Sequence, residues 1–120
     1  MVQSVIDGFS VQPRDPEAPF STLSGGNQQK VLMGKWLSLV PRVLVLDDPT
    51  YGVDPGARET VFKAIIDAAG LGVCVLFFST EPEQLVRICN RVVVLRRGTV
   101  GMELAGESLS LETVTQWCYE

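Results

Sequence analysis

The sequence Val43-Leu44-Val45-Leu46-Asp47-Asp48-Pro49-Thr50, residues 43–50, decides the fold of this chain. Its four consecutive aliphatic residues, ended by residues that favour turns, predict a short strand buried on both faces, as in a parallel sheet. Ligands of open α/β sheets bind at the carboxyl edge of the strands, where Asp47 and Asp48 fall. Taken alone, the two acids are explained equally well by a solvated turn.

The segment upstream of this strand, Leu23-Ser24-Gly25-Gly26-Asn27-Gln28-Gln29-Lys30, places a hydroxyl and two glycines at the start of a predicted helix. Free backbone N–H groups and the positive end of the helix dipole favour a phosphate there. An ordinary capped turn would look the same. Followed about twenty residues later by the acidic strand end, the segment predicts a nucleotide site, where Asp47 holds Mg²⁺ and Asp48 orients the attacking water.

The rest of the chain alternates helices and strands. A proline-rich connector covers residues 10–22, and the helix that starts after Ser24 has a predicted buried face of Val31, Leu32, Trp36 and Leu39. The predicted helices that follow cover residues 56–69, 82–88 and 111–118, and the predicted strands cover residues 73–78, 91–95 and 99–103. The second strand is again expected to be buried, as is a helical stripe of Val61, Phe62, Ile65, Ile66 and Ala69. The order predicts a single α/β domain with right-handed crossovers.

Composition narrows the class of protein. The 120 residues are 46% hydrophobic and 20% charged, which excludes an intrinsically disordered chain. The net charge is −4 and no basic run exceeds Arg96-Arg97, so direct binding to nucleic acid is not expected. Three cysteines without a C-x-x-C spacing, and no histidine, argue against zinc and for buried free thiols. No apolar run reaches roughly 18 residues, so the chain is expected to be cytoplasmic and held at any membrane by a partner.

Four motifs in sequence order resemble those of the nucleotide-binding domains of ABC transporters. They are L-S-G-G-N-Q-Q-K, V-L-V-L-D-D-P-T, G-V-D-P-G-A-R and F-F-S-T-E, which look like the signature, Walker B, D-loop and switch regions. The first and third are most like those of the second cassette in the tandem ATPases that energise bacterial ribose, galactose and xylose importers. The resemblance covers about residues 1–103 and implies a P-loop NTPase-like three-layer sandwich.

The resemblance also implies partners and ligands. Ser24, Gly25 and Gly26 would contact the γ-phosphate of an ATP bound by a second cassette. Asn27 and Asp54 would also belong to the cofactor-binding residues. The assembly would bind ATP and Mg²⁺ and would dock on membrane permease subunits, peripheral to the cytoplasmic face of the membrane. Its ATP hydrolysis would drive import of a sugar or similar small solute.

At this cassette's own site, the resemblance implies that Asp47 coordinates Mg²⁺. Asp48 stands where the family has a catalytic glutamate, Asp54 is the D-loop aspartate that couples the two sites, and Thr80 replaces the usual switch histidine. Aspartate is one methylene group shorter than glutamate, so the Asp48 carboxylate would lie about 1.5 Å short of the position of the family's glutamate carboxylate. A misplacement of about 1 Å can lower the rate about a hundredfold. The pattern predicts an asymmetric ATPase, competent at the site served by the signature and weakened at its own.

A phosphate-binding P-loop is missing from residues 1–120. The only Gly-Lys pair, Gly34-Lys35, precedes Trp36 inside a predicted helix rather than matching G-x-x-x-x-G-K-[ST]. The chain is therefore expected to be part of a cassette, with a connector over residues 1–22, the four motifs over residues 23–96 and a terminal strand and helix over residues 97–120. The isolated segment is expected to be inactive.

Other interpretations stay open at this point. One is a non-catalytic remnant that binds or regulates an intact cassette, and it would be favoured by the lack of an upstream P-loop in the same reading frame. Another is a soluble cassette protein of DNA repair, chromosome organisation or translation, although Tyr51-Gly52-Val53-Asp54 does not match the D-loop usual there.

Overall fold

The computed structural model describes residues 1–119 and has the predicted α/β order. Its helices and strands are α1 (Val2–Phe9), α2 (Gly25–Ser38), β1 (Val43–Asp47), α3 (Pro55–Gly70), β2 (Cys74–Phe78), α4 (Pro82–Ile88), β3 (Arg91–Arg96), β4 (Thr99–Ala105) and α5 (Leu111–Tyr119). Single 3₁₀ turns lie at Phe20–Thr22 and Gly106–Ser108. The chain divides into two compact units, Met1–Leu76 and the residues from Phe77 onward.

Three helices pack together in the first unit, where α2 contacts both α1 and α3. The closest approach is at Gly34, where a Cβ would lie 3.0 Å from Val5 Cγ2 and closer still to Val5 Cγ1. Glycine is therefore the residue that allows α1 and α2 to meet. The hydrophobic core of this unit includes Val5, Ile6, Val11, Met33, Leu44, Leu46, Val53, Ala57, Val61, Phe62, Ile65, Ala68 and Val73.

The predicted buried face of α2 is wrong. Leu32, Trp36 and Leu39 are exposed, whereas Met33 and Gly34 are buried. The cause is the contact with α1, which requires the position of α2 at which Gly34 has no side chain. The Lys35 ammonium lies 4.9 Å from the centre of the Trp36 ring, a cation–π contact at the surface.

Burial on both faces is also wrong for β1 and β2. Leu44 and Leu46 are buried, but Val43 and Val45 on the other face are 53% and 60% exposed. Leu76 and Phe78 of β2 are about half exposed, although β1 and β2 are neighbours in one sheet and Cys74 N donates to Arg42 O at 3.0 Å. The described part of the chain covers one face of β1 only.

The predicted stripe of α3 is correct for Val61, Phe62 and Ile65, which are buried, and wrong for Ile66 and Ala69, which are exposed. The buried face of α3 extends instead through Ala57 and Ala68. The buried face of α3 therefore includes only some of its apolar residues, because Ile66 and Ala69 face solvent.

In the second unit, β3 and β4 form an antiparallel hairpin in which Arg91 pairs with Ala105 and Arg96 with Thr99. The predicted turn at Arg97-Gly98 is confirmed, and both residues have positive φ, 49° and 79°. Paired left-handed residues suit the twist of a two-residue hairpin turn. Helix α5 contacts α4 and both strands of the hairpin, and the core of the unit is Leu85, Val92, Val94, Leu104 and Val114.

The three cysteines are free thiols, as predicted. Cys74 and Cys118 are exposed, so the expectation of burial was wrong for both, because each lies on the solvent side of its element. Cys89 is half-buried and packs against the core of the second unit, and burial raises the pKa of its thiol. Among residues 1–119, no helix has the length and apolar character needed to cross a membrane.

Candidate functional site at the mouth of α2

Ser24 is the N-cap of α2, as predicted, and two hydrogen bonds fix the orientation of its hydroxyl group. Its Oγ accepts hydrogen bonds from Asn27 N at 3.4 Å and from Asn27 Nδ2 at 2.9 Å. A hydroxyl oxygen has two acceptor positions and one proton to donate. With both acceptor positions occupied, the Ser24 O–H remains as a hydrogen-bond donor.

Gly25 and Gly26 are the first two residues of α2, and they leave the mouth of the helix open. Within the described residues 1–119, nothing accepts a hydrogen bond from either backbone N–H. A Cβ added at either position would meet no atom within 4 Å. Two N–H donors, the Ser24 hydroxyl and the positive end of the helix dipole thus surround free space, an arrangement suited to an anion.

Asn27 joins this site to the connector. Its Oδ1 accepts from Gln12 N at 3.0 Å while its Nδ2 donates to Ser24 Oγ. Two neighbouring side chains of α2 hold the same connector: Gln28 Nε2 donates to Phe20 O at 3.1 Å and Lys30 Nζ to Ser10 O at 3.1 Å. The predicted role of Asn27 as a ligand residue stays a prediction, but the geometry shows that its amide orients Ser24.

The aspartate turn, residues 47–54, follows β1. Asp47 is exposed at the strand end, and Asp48 is partly buried with a left-handed backbone, φ 41°. Asp48 O accepts from Tyr51 N at 3.0 Å and Thr50 O from Val53 N at 3.1 Å. Asp and Asn adopt this left-handed region more readily than other side chains with a Cβ. The turn therefore fixes the backbone conformation of Asp48 and, with it, the direction in which its side chain extends.

The chemistry of Asp47 and Asp48 fits Mg²⁺. This ion is held in nucleotide sites by one or two carboxylates together with waters and phosphate oxygens. Two adjacent carboxylates, the first of them exposed, meet that requirement. Residues 1–119 hold no group of three or more acidic, histidine or cysteine side chains able to enclose a metal, so the chain offers part of a coordination shell and the phosphates would complete it.

Asp54 starts helix α3. Its Oδ1 accepts from Ala57 N at 3.0 Å, and Pro55 fills the first helical position. The cap explains an aspartate here without any ligand. Its predicted role in coupling two nucleotide sites stays a prediction.

Gln29 is a residue whose contact the sequence analysis did not identify. Its Nε2 donates to Pro49 O at 2.7 Å, a partly buried contact across 20 positions of the chain. Pro49 is fully buried and its carbonyl needs a donor. Nothing in the sequence distinguishes Gln29 from the adjacent Gln28, so no local signal could have identified this bond.

Thr80 belongs to the second unit. It is exposed, between β2 and α4, next to Ser79, whose Oγ accepts from Glu81 N at 3.1 Å and pairs with the buried Gln84. The first unit holds the other predicted site residues: Ser24, Gly25, Gly26, Asn27, Asp47, Asp48 and Asp54. Their roles, like that of Thr80, stay predictions.

Comparison with known sequences gives relatives of one kind. The chain is 38% identical over 114 residues to the ribose import ATP-binding protein RbsA of Geobacillus kaustophilus, covering 95% of this chain and 23% of that protein. It is 43% identical over 96 residues to the fructose import ATP-binding protein FruK of Bifidobacterium longum, covering 80% and 19%. The chain thus spans about a fifth of the length of these relatives. It matches no protein-family model.

Solved structures give the fold. An ATP-binding subunit of an ABC transporter superposes with a TM-score of 0.85 at 20% identity, covering 99% of this chain and 53% of that one. The dimeric bacterial ABC transporter cassette MJ0796 gives a TM-score of 0.74 at 23% identity, covering 89% and 45%. The chain is therefore homologous to one segment of sugar-import ATP-binding proteins and has the fold of part of an ATP-binding cassette.

Proposed function

Because this chain has the fold of part of an ABC transporter cassette and its relatives are sugar-import ATP-binding proteins, we propose that it is the C-terminal part of the ATP-hydrolysing subunit of an importer for a sugar or similar small solute. The observation that carries the proposal is the mouth of α2, where the Ser24 hydroxyl and the N–H groups of Gly25 and Gly26 surround open space.

In the proposed assembly, these donors bind the γ-phosphate of an ATP whose P-loop belongs to a second cassette. The dimeric state described for the cassette MJ0796 supports two cassettes as the working unit. Donors fixed before the reaction stabilise charge that develops on the phosphate without reorganising. Asp47 holds the Mg²⁺ at this cassette's own nucleotide, and Asp48 holds the attacking water there. The subunit acts at the cytoplasmic face of the membrane, docked on permease subunits.

The first expected result concerns nucleotide binding by the 120 residues alone. Backbone cradling and a P-loop lysine supply much of the affinity for the β- and γ-phosphates, and residues 1–120 contain no P-loop. Calorimetry should show no saturable binding of Mg-ATP below about millimolar nucleotide, whereas a full-length protein with a P-loop should bind and hydrolyse it. Tight binding by the 120 residues would mean that the phosphates are held in some other way.

The second expected result concerns Asp48 in the full-length protein. Asp48→Glu should raise the single-turnover rate at this site, because the longer side chain brings the carboxylate nearer the water, provided that the P-loop of this cassette is intact. The left-handed backbone at φ 41° should make the variant less stable by about 1 kcal/mol. Asp48→Asn should change the rate little, because the short aspartate already leaves this site nearly silent in the parent protein.

Single-turnover hydrolysis with the opposite site disabled measures both Asp48 variants. Thr80 limits the gain from Asp48→Glu, since a threonine supplies a hydrogen bond but no positive charge. A large loss of rate in Asp48→Asn would show that the aspartate is already a competent base, and the proposed asymmetry would have to be abandoned.

A further inference from the structure

The hydrogen bond from Gln29 Nε2 to Pro49 O, 2.7 Å long, connects the two halves of the candidate site. Gln29 lies on α2, one turn past the glycines at the helix mouth. Pro49 lies in the aspartate turn, directly after Asp48. The bond therefore ties the element that carries the Ser24 hydroxyl to the element that carries the carboxylates.

Asp48 is the residue on which this bond acts. A non-glycine residue with a left-handed backbone persists only where its surroundings determine it. The Asp48 carbonyl accepts from Tyr51 N at 3.0 Å, and the next carbonyl, that of Pro49, accepts from Gln29. Both bonds hold the chain on the C-terminal side of the strained residue. One of them is local to the turn and the other comes from α2.

Burial makes the second bond difficult to replace. The Pro49 ring is fully buried and Thr50 is 2% exposed, so the turn lies against the core of its unit. A buried carbonyl that loses its partner costs more free energy than the bond itself contributes. Gln28, the preceding residue, offers the same amide to Phe20 O in the exposed connector instead. The two glutamines have equal chemistry and different targets.

We propose that Gln29 is a positioning residue that holds the aspartate turn, and with it the Asp48 carboxylate, in register with the mouth of α2. A nucleotide phosphate that moves α2 would then move Asp48 as well. This role rests on the proposed ATPase function, in which the helix mouth serves one nucleotide and the aspartate turn serves the other.

The test uses variants whose side chains are nearly equal in length. Gln29→Met removes the donor without changing charge, Gln29→Lys returns a donor, and Gln28→Met is the matched control for an exposed amide. In the 120-residue chain, hydrogen exchange of the Tyr51 and Val53 amides should be about tenfold faster in Gln29→Met, the equivalent of one lost hydrogen bond. It should be unchanged in Gln28→Met and largely restored in Gln29→Lys. Amides in the middle of α3, in the same unit, report on the overall stability of that unit.

In the full-length ATPase carrying Asp48→Glu, whose longer carboxylate reaches the water, and with the opposite site disabled, Gln29→Met should lower kcat by about tenfold, with KM within about twofold of the Asp48→Glu value. Because a smaller folded fraction would also lower kcat at unchanged KM, urea unfolding measures the folded fraction and kcat is given per folded molecule. If Gln29→Met does not fold, Gln29→Asn, which keeps the amide but shortens its reach, is measured in its place and should shift both readouts in the same direction.

Equal effects of Gln28→Met and Gln29→Met, or unchanged exchange at Tyr51 and Val53 in Gln29→Met, would overturn the role of Gln29. A full-length protein that hydrolyses no ATP would overturn the proposed function instead. The exchange measurement decides the positioning role independently of that outcome.

Discussion

Gly26→Asp in the full-length protein is expected to lower ATP hydrolysis by at least about a hundredfold while leaving the fold intact. A Cβ at Gly26 would meet no atom within 4 Å, so the side chain fits. Its carboxylate, however, would occupy the space that faces the free N–H groups and would repel the phosphate. The same carboxylate in the first turn of α2 should stabilise the helix by about 0.3–1 kcal/mol.

Opposite signs for stability and activity make this result specific to the site. Steady-state hydrolysis and urea unfolding measure the two effects, and nucleotide binding at the cassette's own P-loop should be nearly unchanged. Gly8→Asp is the control for activity, because Gly8 is also helical and also has open space around it. Its carboxylate would lie in the last turn of α1 and should destabilise that helix slightly. If Gly26→Asp hydrolysed ATP at the parent rate, the mouth of α2 would be a capped turn and no more.

Gly34→Ala should reduce the free energy of unfolding of the chain by about 1–3 kcal/mol, although alanine is the better helix former. The added methyl group would overlap Val5 Cγ1 and lie 3.0 Å from Val5 Cγ2, so α1 and α2 would have to separate. Gly8→Ala, where nothing lies within 4 Å, should instead stabilise the chain by up to about 1 kcal/mol.

Urea unfolding of the two alanine variants and the parent measures this difference. A second substitution, Val5→Ala in the Gly34→Ala background, should recover part of the loss, because it removes both methyl groups that the new Cβ meets. Equal stability changes at Gly8 and Gly34 would show that the contact between α1 and α2 is not formed.

Features that depend on a few adjacent residues were predictable from the sequence. The capping hydroxyl of Ser24, the strand that ends at Asp47 and the hairpin turn at Arg97-Gly98 were all expected and found. Each is decided by local backbone geometry or by an uninterrupted aliphatic run, so neighbouring residues suffice to specify it.

Features that depend on distant contacts were not predictable. The buried face of α2 is set by Gly34 meeting Val5, which is 29 positions earlier, and helical spacing alone could not choose among the apolar stripes. The exposed face of β1 was unpredictable for the same reason, because an aliphatic run does not show whether another element covers both faces of the strand. The bond from Gln29 to Pro49 joins two different elements, and nothing in the sequence shows which of the adjacent residues Gln28 and Gln29 makes it.

The amide of Asn27, which donates to Ser24 and accepts from Gln12 N, makes these two side chains a single thermodynamic unit. In a double-mutant cycle, the loss from Ser24→Ala and the loss from Asn27→Ala would not add, because each substitution already removes the bond that the other would break. The availability of the Ser24 O–H as a hydrogen-bond donor thus depends on Asn27 as well as on Ser24. A serine placed before a helix without its asparagine would have the same atoms and a freely rotating proton.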